Sequence, residues 1–143
     1  MSDAFVLDSS VALSWFFPDE QAPETDALLQ SLADGGQAIT AGHWGLEVTN
    51  VLLGAERAKK RPEANSAQFL ALVEKLPIEV DPETHLRAGS TTVALARKHR
   101  LTSYDAAYLE LAMRRGIPLA TLDKDLRKAA KAEGVPLLPK ETR

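Results

Sequence analysis

The chain contains no cysteine, which excludes disulfide scaffolds, thiolate zinc sites and cysteine nucleophiles and gives no sign of an oxidising compartment. It has no run approaching the roughly 20 apolar residues of a membrane span. Its opening, Met1-Ser2-Asp3-Ala4-Phe5-Val6-Leu7-Asp8, has no basic region ahead of the apolar run, so a secretory leader is not expected and a cytoplasmic location is. Positive charge is not in excess either: 17 Lys and Arg against 20 Asp and Glu give a formal net charge of −3. Bulk electrostatics therefore do not mark a nucleic-acid coat, and any such contact must be local. The three histidines, His43, His85 and His99, lack a His-x₃-His arrangement and make poor zinc ligands. No internal repeat, linker or low-complexity tract is present.

What is there is the balance of an ordinary globular protein, 45% apolar and 26% charged over 143 residues, enough for one sizeable core and one domain, 1–143. Hydrophobic periodicity and breakers predict a strand over Ala4–Leu7, a helix over Val11–Phe17 stopped by Pro18, and a helix over Glu24–Ala33 ending at Gly35-Gly36. A strand at Ala38–Thr40 then leads to a helix over His43–Lys60 with Trp44, Val48, Val51, Leu52 and Ala55 on its apolar stripe. Further helices are predicted over Ser66–Leu76, Pro82–Arg100, Tyr104–Arg115 and Lys124–Glu133, and strands over Ile78–Val80, Pro118–Leu122 and Val135–Leu138. Short apolar strands alternating with amphipathic helices predict an α/β fold: a mostly parallel sheet of about five short strands with helices on both faces.

In such sheets ligands bind beyond the carboxyl ends of the strands. Asp8 follows the first strand and Asp123 follows Leu119-Ala120-Thr121-Leu122; each is also placed to cap the next helix. Asp105 completes Thr102-x-x-Asp105, a capping-box pattern, yet helical spacing aligns it with Tyr108, Leu109, Ala112 and Met113, so it is expected to point inward and to need a partner. Glu47 borders the apolar stripe of its helix, with Asn50 three residues on. All four acids sit at strand-to-helix transitions or in first helical turns, so a parallel sheet would gather them at one edge. Two carboxylates about 4 Å apart repel by roughly 4 kcal/mol at an effective dielectric near 20, so an assembled group implies a cation. Oxygen-only ligands suit Mg²⁺, with Mn²⁺ as the alternative.

These residues resemble the PIN-domain nucleases, in particular the VapC-type toxins of bacterial toxin–antitoxin systems. The resemblance spans nearly the whole chain and is carried by Val6-Leu7-Asp8-Ser9-Ser10-Val11, Glu47-x-x-Asn50, Leu101-Thr102-Ser103-Tyr104-Asp105-Ala106-Ala107-Tyr108 and Leu119-Ala120-Thr121-Leu122-Asp123. It implies a single PIN-like domain and a metal-dependent endoribonuclease with Asp8, Glu47, Asp105 and Asp123 as the acidic quartet. Asp8, Asp105 and Asp123 would hold the ion and Glu47 would orient or deprotonate the attacking water. Ser9 and Asn50 match polar positions beside the quartet, and Asp125 is an additional acid at its margin. The resemblance also implies an RNA substrate, an antitoxin partner and a homodimer. The alternatives are a PIN nuclease of RNA processing or DNA cleavage outside a toxin–antitoxin pair, and a non-catalytic binding module whose acids are only caps. An aspartyl-phosphate enzyme is disfavoured because Ser10 stands where a haloacid-dehalogenase-type phosphatase needs a second acid.

Three surface features complete the reading. Basic clusters occur at Lys59-Lys60-Arg61, Arg97-Lys98 with Arg100, Arg114-Arg115, and Lys124, Arg127, Lys128 and Lys131, most of them near helix ends, where they complement the helix dipole. Leu46 and Leu53 lie opposite the main stripe of their helix and predict a second contact surface, consistent with a homodimer. Trp15-Phe16-Phe17 cannot all face one core from a helix, so at least one is expected near the surface, with Trp15 and Phe16 as candidate anchors for an antitoxin segment.

Overall fold

Apolar Ala4–Leu7 form β1, the middle strand of a sheet in the order β3-β2-β1-β4-β5, in a computed structural model that describes residues 4–140. The reading of Met1, Ser2 and Asp3 as free of a leader, and the outermost residues of the 1–143 domain, lie outside the described residues. The other strands are β2 (Gln37–Thr40), β3 (Ile78–Val80), β4 (Leu119–Ala120) and β5 (Leu137–Leu138), and every pairing is parallel. Ala4, Phe5 and Val6 pair with Gln37, Ala38 and Ile39, while Val6 and Leu7 pair with Leu119 and Ala120. Val6 and Leu7 are fully buried, as a central parallel strand covered on both faces requires.

The helices are α1 (Ser9–Ser14), α2 (Pro23–Ala33), α3 (Trp44–Arg57), α4 (Glu63–Glu74), α5 (Thr84–Arg87), α6 (Val93–His99), α7 (Ser103–Arg115) and α8 (Lys124–Ala132). From β1 the chain steps outward through β2 to β3, then returns across the sheet to β4 on the opposite side of β1. Right-handed crossovers place helices from the two directions on opposite faces; accordingly α1 packs on α3, and α7 on α6, α8 and β1. The reversal puts a crevice at the carboxyl ends of β1 and β4, the place where open α/β sheets bind ligands. Among the described residues no helix is long and apolar enough to cross a membrane.

The elements depart from the sequence expectations at identifiable points. The helix after β1 begins at Ser9 and ends at Ser14, before the aromatics; Phe17 is extended (φ −87°, ψ 119°) ahead of Pro18, which disfavours the helical region for its predecessor, and a 3₁₀ turn follows over Pro18–Glu20. Since Trp15 and Phe16 lie beyond that helix, the one-face limit does not apply. Both are buried, at 7% and 6% exposure. The Trp15 indole donates to the Thr25 carbonyl at 2.8 Å, and Phe16 packs on Phe69 and beneath the Arg61 guanidinium. Phe17 alone is half-buried, so one aromatic does lie near the surface, but the assignment of Trp15 and Phe16 as partner anchors is corrected: they are core.

The helix expected over Pro82–Arg100 is interrupted by a π turn, Ala88–Thr92, where Gly89, Ser90, Thr91 and Thr92 are poor helix formers. It closes at Arg100 in left-handed backbone (φ 55°). β4 and β5 are shorter than expected; Pro118, lacking an N–H, only accepts, from Val6 at 2.8 Å. On α3 the buried stripe is Trp44, Val48, Leu52 and Ala55; Val51 is exposed, whereas Leu46 and Leu53 are exposed as expected. On α7, Met113 is likewise exposed rather than part of the apolar stripe.

Candidate active site

Asp8 stands at the N-cap position of α1, yet its side chain makes no cap hydrogen bond. Oδ2 instead accepts from Thr121 Oγ1 at 2.6 Å and Ser10 Oγ at 2.8 Å, and Oδ1 accepts from Ser9 Oγ at 3.3 Å. The two hydroxyls nearest Oδ2 are oriented by backbone: the Leu122 N–H donates to Ser10 Oγ at 3.0 Å and the Asp123 N–H donates to Thr121 Oγ1 at 3.1 Å. The turn after β4 thus grips Asp8 through two hydroxyls, fixing one oxygen firmly and leaving the other lightly held. Asp8 is almost fully buried, and burial pushes its carboxyl above the usual range, with the Glu47 charge adding to the rise and the Thr121 and Ser10 hydrogen bonds opposing it.

Glu47, in the first turn of α3, is bound across the site. The Tyr108 hydroxyl donates to Oε1 at 2.5 Å, and Ser9 Oγ stands 3.3 Å from both Glu47 Oε1 and Asp8 Oδ1, so its one proton is shared between the two acids. Tyr108 is fully buried on α7, one turn beyond Asp105, and burial together with its bond to Glu47 holds the phenol protonated. His43 Nε2 lies 3.6 Å from Glu47 Oε1 and 3.0 Å from the Tyr104 carbonyl, which can only accept, so this nitrogen carries a proton. The imidazole ring lies between Tyr104 and Tyr108, with centroids 5.6 and 5.0 Å away.

Asp123 does serve as a cap, Oδ1 accepting from the Leu126 N–H at 2.8 Å, which leaves Oδ2 for another partner. For Asp105 half of the expected capping box is present: Thr102 Oγ1 accepts from the Asp105 N–H at 3.1 Å. The Asp105 carboxyl is half-buried rather than turned fully into the core. Burial first, and then the charges of Asp8, Asp123 and Glu47 in that order, together raise its pKa to about 6, against a smaller lowering by the Thr102 hydrogen bond. Each of the three acids expected beside Asp105 thus lies within electrostatic reach of it. Asn50 is exposed and lines a groove with Glu47, His43, Leu46, Leu53 and Tyr104; Asp125 faces a different depression, with Lys98, Arg100 and Lys128.

Among the described residues no three His, Asp or Glu side chains are drawn close enough to enclose a metal by themselves. The donor set nevertheless fits a hard divalent cation: all oxygen, mutually repelling, with Asp8 buried and bonded, among the described residues, to hydroxyls and to no cationic side chain. Such an ion is satisfied by one or two carboxylates and completes its shell with water.

Tyr108, Thr121, Ser10 and His43 are members of this site that the sequence reading did not single out. Tyr108 was readable only as part of the α7 apolar stripe, although its place three residues after Asp105 puts it on the same face. Thr121 follows β4 directly, the position from which a polar side chain reaches the crevice.

The family model for the PIN domain matches residues 5–132. A similar protein is Ribonuclease VapC3 of Pyrobaculum aerophilum, 26% identical over 121 residues that cover 85% of this chain and 90% of that one. Among solved structures, PAE2754 of Pyrobaculum aerophilum superposes with a TM-score of 0.69 at 21% identity, covering 96% of this chain and 92% of that one. A toxin–antitoxin complex from Klebsiella pneumoniae superposes with a TM-score of 0.57 at 19% identity, covering 85% and 88%.

Proposed function

Because the chain belongs to the PIN-domain family, we propose that it is a metal-dependent endoribonuclease that hydrolyses RNA phosphodiester bonds and acts as the toxin of a toxin–antitoxin pair. The observation that carries the chemistry is the Asp105 carboxyl, raised to about 6 by burial and by the negative charges of Asp8, Asp123 and Glu47. Four carboxylates that destabilise one another are a poor structural device and a good cation trap. The reading of the acids as mere helix caps fits Asp123 but not Asp8, whose side chain caps nothing.

In this reading Asp8, Asp105 and Asp123 would hold Mg²⁺ or Mn²⁺. When bound, the ion supplies charge neutralisation for the phosphoryl oxygens and eases deprotonation of water. Asp8 presents Oδ1 while Ser10 and Thr121 keep Oδ2 in place. Glu47 orients the attacking water and accepts its proton, with Tyr108 fixing Oε1 so that Oε2 is the oxygen left to do so. The similar Pyrobaculum aerophilum protein is named a ribonuclease, and the Klebsiella pneumoniae structure is titled a toxin–antitoxin complex. These names support an RNA substrate and an antitoxin partner. A short reading frame beside this gene, encoding a DNA-binding protein, is expected.

The test is cleavage of a labelled single-stranded or looped RNA by the purified protein. Cleavage is expected with Mg²⁺ or Mn²⁺, lost on chelation, and lost in Asp8→Asn with the fold retained. Undiminished cleavage in excess chelator, or wild-type turnover by Asp8→Asn, would overturn the reading.

A further inference from the structure

Beside the acidic quartet the surface changes sign. A groove of about 650 Å³ is lined by Lys124, Arg127, Lys128 and Lys131 of α8, Lys140 after β5, and one acid, Glu24 of α2. Five cations face one carboxylate in a chain whose formal net charge is −3. The helix dipole favours Lys131 in the last turn of α8 but not Lys124, which occupies its first position, where positive charge is unfavourable. The Arg127 guanidinium donates to the Thr121 and Pro139 carbonyls, each at 2.7 Å. It is therefore held in place by neutral carbonyls rather than by an acid. Lys124, Lys128 and Lys131 are exposed and recur at four- and three-residue spacing along one side of α8. That is roughly 6 and 4.5 Å along the axis, the few-ångström scale on which phosphates recur along a strand.

Leu122 and Lys124, the residues on either side of Asp123, both line the groove, so one end of it lies beside that acid. A strand whose scissile phosphodiester lies at four acids gains no electrostatic attraction there beyond what the ion supplies, and must be held by its neighbouring phosphates. We propose that this groove is the track that binds the RNA backbone on one side of the cleaved bond, with Lys124, Lys128 and Lys140 as phosphate contacts and Arg127 as a fixed positive wall. The inference rests on the nuclease reading and names how that site holds its substrate. An acidic protein segment would also meet the charge, but the place of Leu122 and Lys124 on either side of Asp123 favours the substrate strand.

The experiment compares wild type with the combined variant Lys124→Gln/Lys128→Gln/Lys140→Gln, all exposed positions, on a fluorescent single-stranded oligoribonucleotide over a series of salt concentrations. A control, Lys59→Gln/Lys60→Gln/Lys75→Gln, removes the same charge from around α4, which leads into the strand at the opposite edge of the sheet. KM for the groove variant is expected to rise at least tenfold at low salt, with the loss falling on KM more than on kcat. Its log–log salt slope should be shallower by about 2, from three contacts at about 0.7 each. The control should follow wild type. Wild-type KM and slope in the groove variant, with the parent cleaving normally, would overturn the track and leave the nuclease reading standing; a parent that cleaves no RNA would overturn both. If the groove variant instead loses only affinity for poly-glutamate, the groove belongs to an acidic protein partner and the proposal is wrong.

Discussion

At the scale of single residues, the quartet is a set of carboxylates whose charges are maintained against one another. Asp105 has a folded pKa of about 6 against an ordinary value of 3.8. A carboxyl raised by folding binds more protons in the native state, so native stability falls as pH rises from about 4 to about 6 and stays lowered above that. The shift alone would correspond to roughly 3 kcal/mol, which screening at a half-exposed group reduces to about 1–2 kcal/mol. Asp105→Asn is therefore expected to stabilise the metal-free protein by that amount at pH 7.5 and by almost nothing at pH 4, measured by urea unfolding in chelator. It should also abolish cleavage. Tyr108 acts through Glu47, so Tyr108→Phe removes one hydroxyl from a buried site without opening a cavity. A stability cost of about 1 kcal/mol and a fall in kcat of tenfold or more at nearly unchanged KM are expected. A rise in KM at unchanged kcat would instead indicate lost substrate binding.

At the scale of elements, the site is held in place by polar ties between segments far apart in the chain. Arg114 of α7 donates to Asp81, just after β3, at 2.7 and 3.2 Å and to Glu110 at 2.9 and 3.0 Å. Asp81 also accepts from Thr84 of α5, whose hydroxyl accepts from the Gly42 N–H in the turn leading to α3 and Glu47. Burial alone would raise the Asp81 carboxyl, but the Arg114 and Thr84 hydrogen bonds outweigh it and hold it below the usual range. A lowered carboxyl stabilises the native state above its unfolded pKa, and that contribution is lost only as pH falls below about 3.8. Arg114→Met leaves two buried acids unpaired and is expected to cost about 3–5 kcal/mol at pH 7. Its pH dependence should also invert. Stability should increase on acidification from pH 7 to 4 as the stranded carboxyls take up protons, readable as a rising thermal midpoint. Trp15 and Phe16 belong to the same scale: as buried supports of the region between α1 and α2, they report on folding and not on partner binding.

At the scale of the whole molecule, one apolar face is left open next to the site. Leu46 is 77% exposed, Tyr104 61% and Leu53 43%, and the three line one groove with His43 and Glu47. Exposed apolar groups gathered in this way mark an interaction surface. We therefore expect a homodimer at micromolar concentration by light scattering, and expect Leu46→Asp to give the monomer with an unchanged circular dichroism spectrum. A monomeric wild-type mass would remove this face from the account. Such a dimer would border both active sites along the Glu47 side, opposite in character to the basic groove along α8.

The order of strands and helices, the apolar β1 and the four acids at strand-to-helix transitions were legible in the sequence, because periodicity and breakers act locally and parallel topology gathers strand ends. Local pattern could also place Asp123 as a cap, since that bond spans three residues. It could not separate Asp8 from Asp123, which look alike as acids after apolar strands. The difference lies in Thr121, brought to Asp8 across 113 positions by the β1–β4 pairing. Nor could it place Tyr108, an apolar-stripe residue until α3 and α7 meet and its hydroxyl finds Glu47. The aromatic run misled for the same reason: a helical wheel assumes that the helix continues, and the backbone ahead of Pro18 ended it at Ser14. Sequence by itself determined which residues carry charge and which elements they begin. Only the tertiary structure decided which oxygen of each acid is fixed and which is left for chemistry, because hydrogen bonds between distant segments exist only once the sheet has closed.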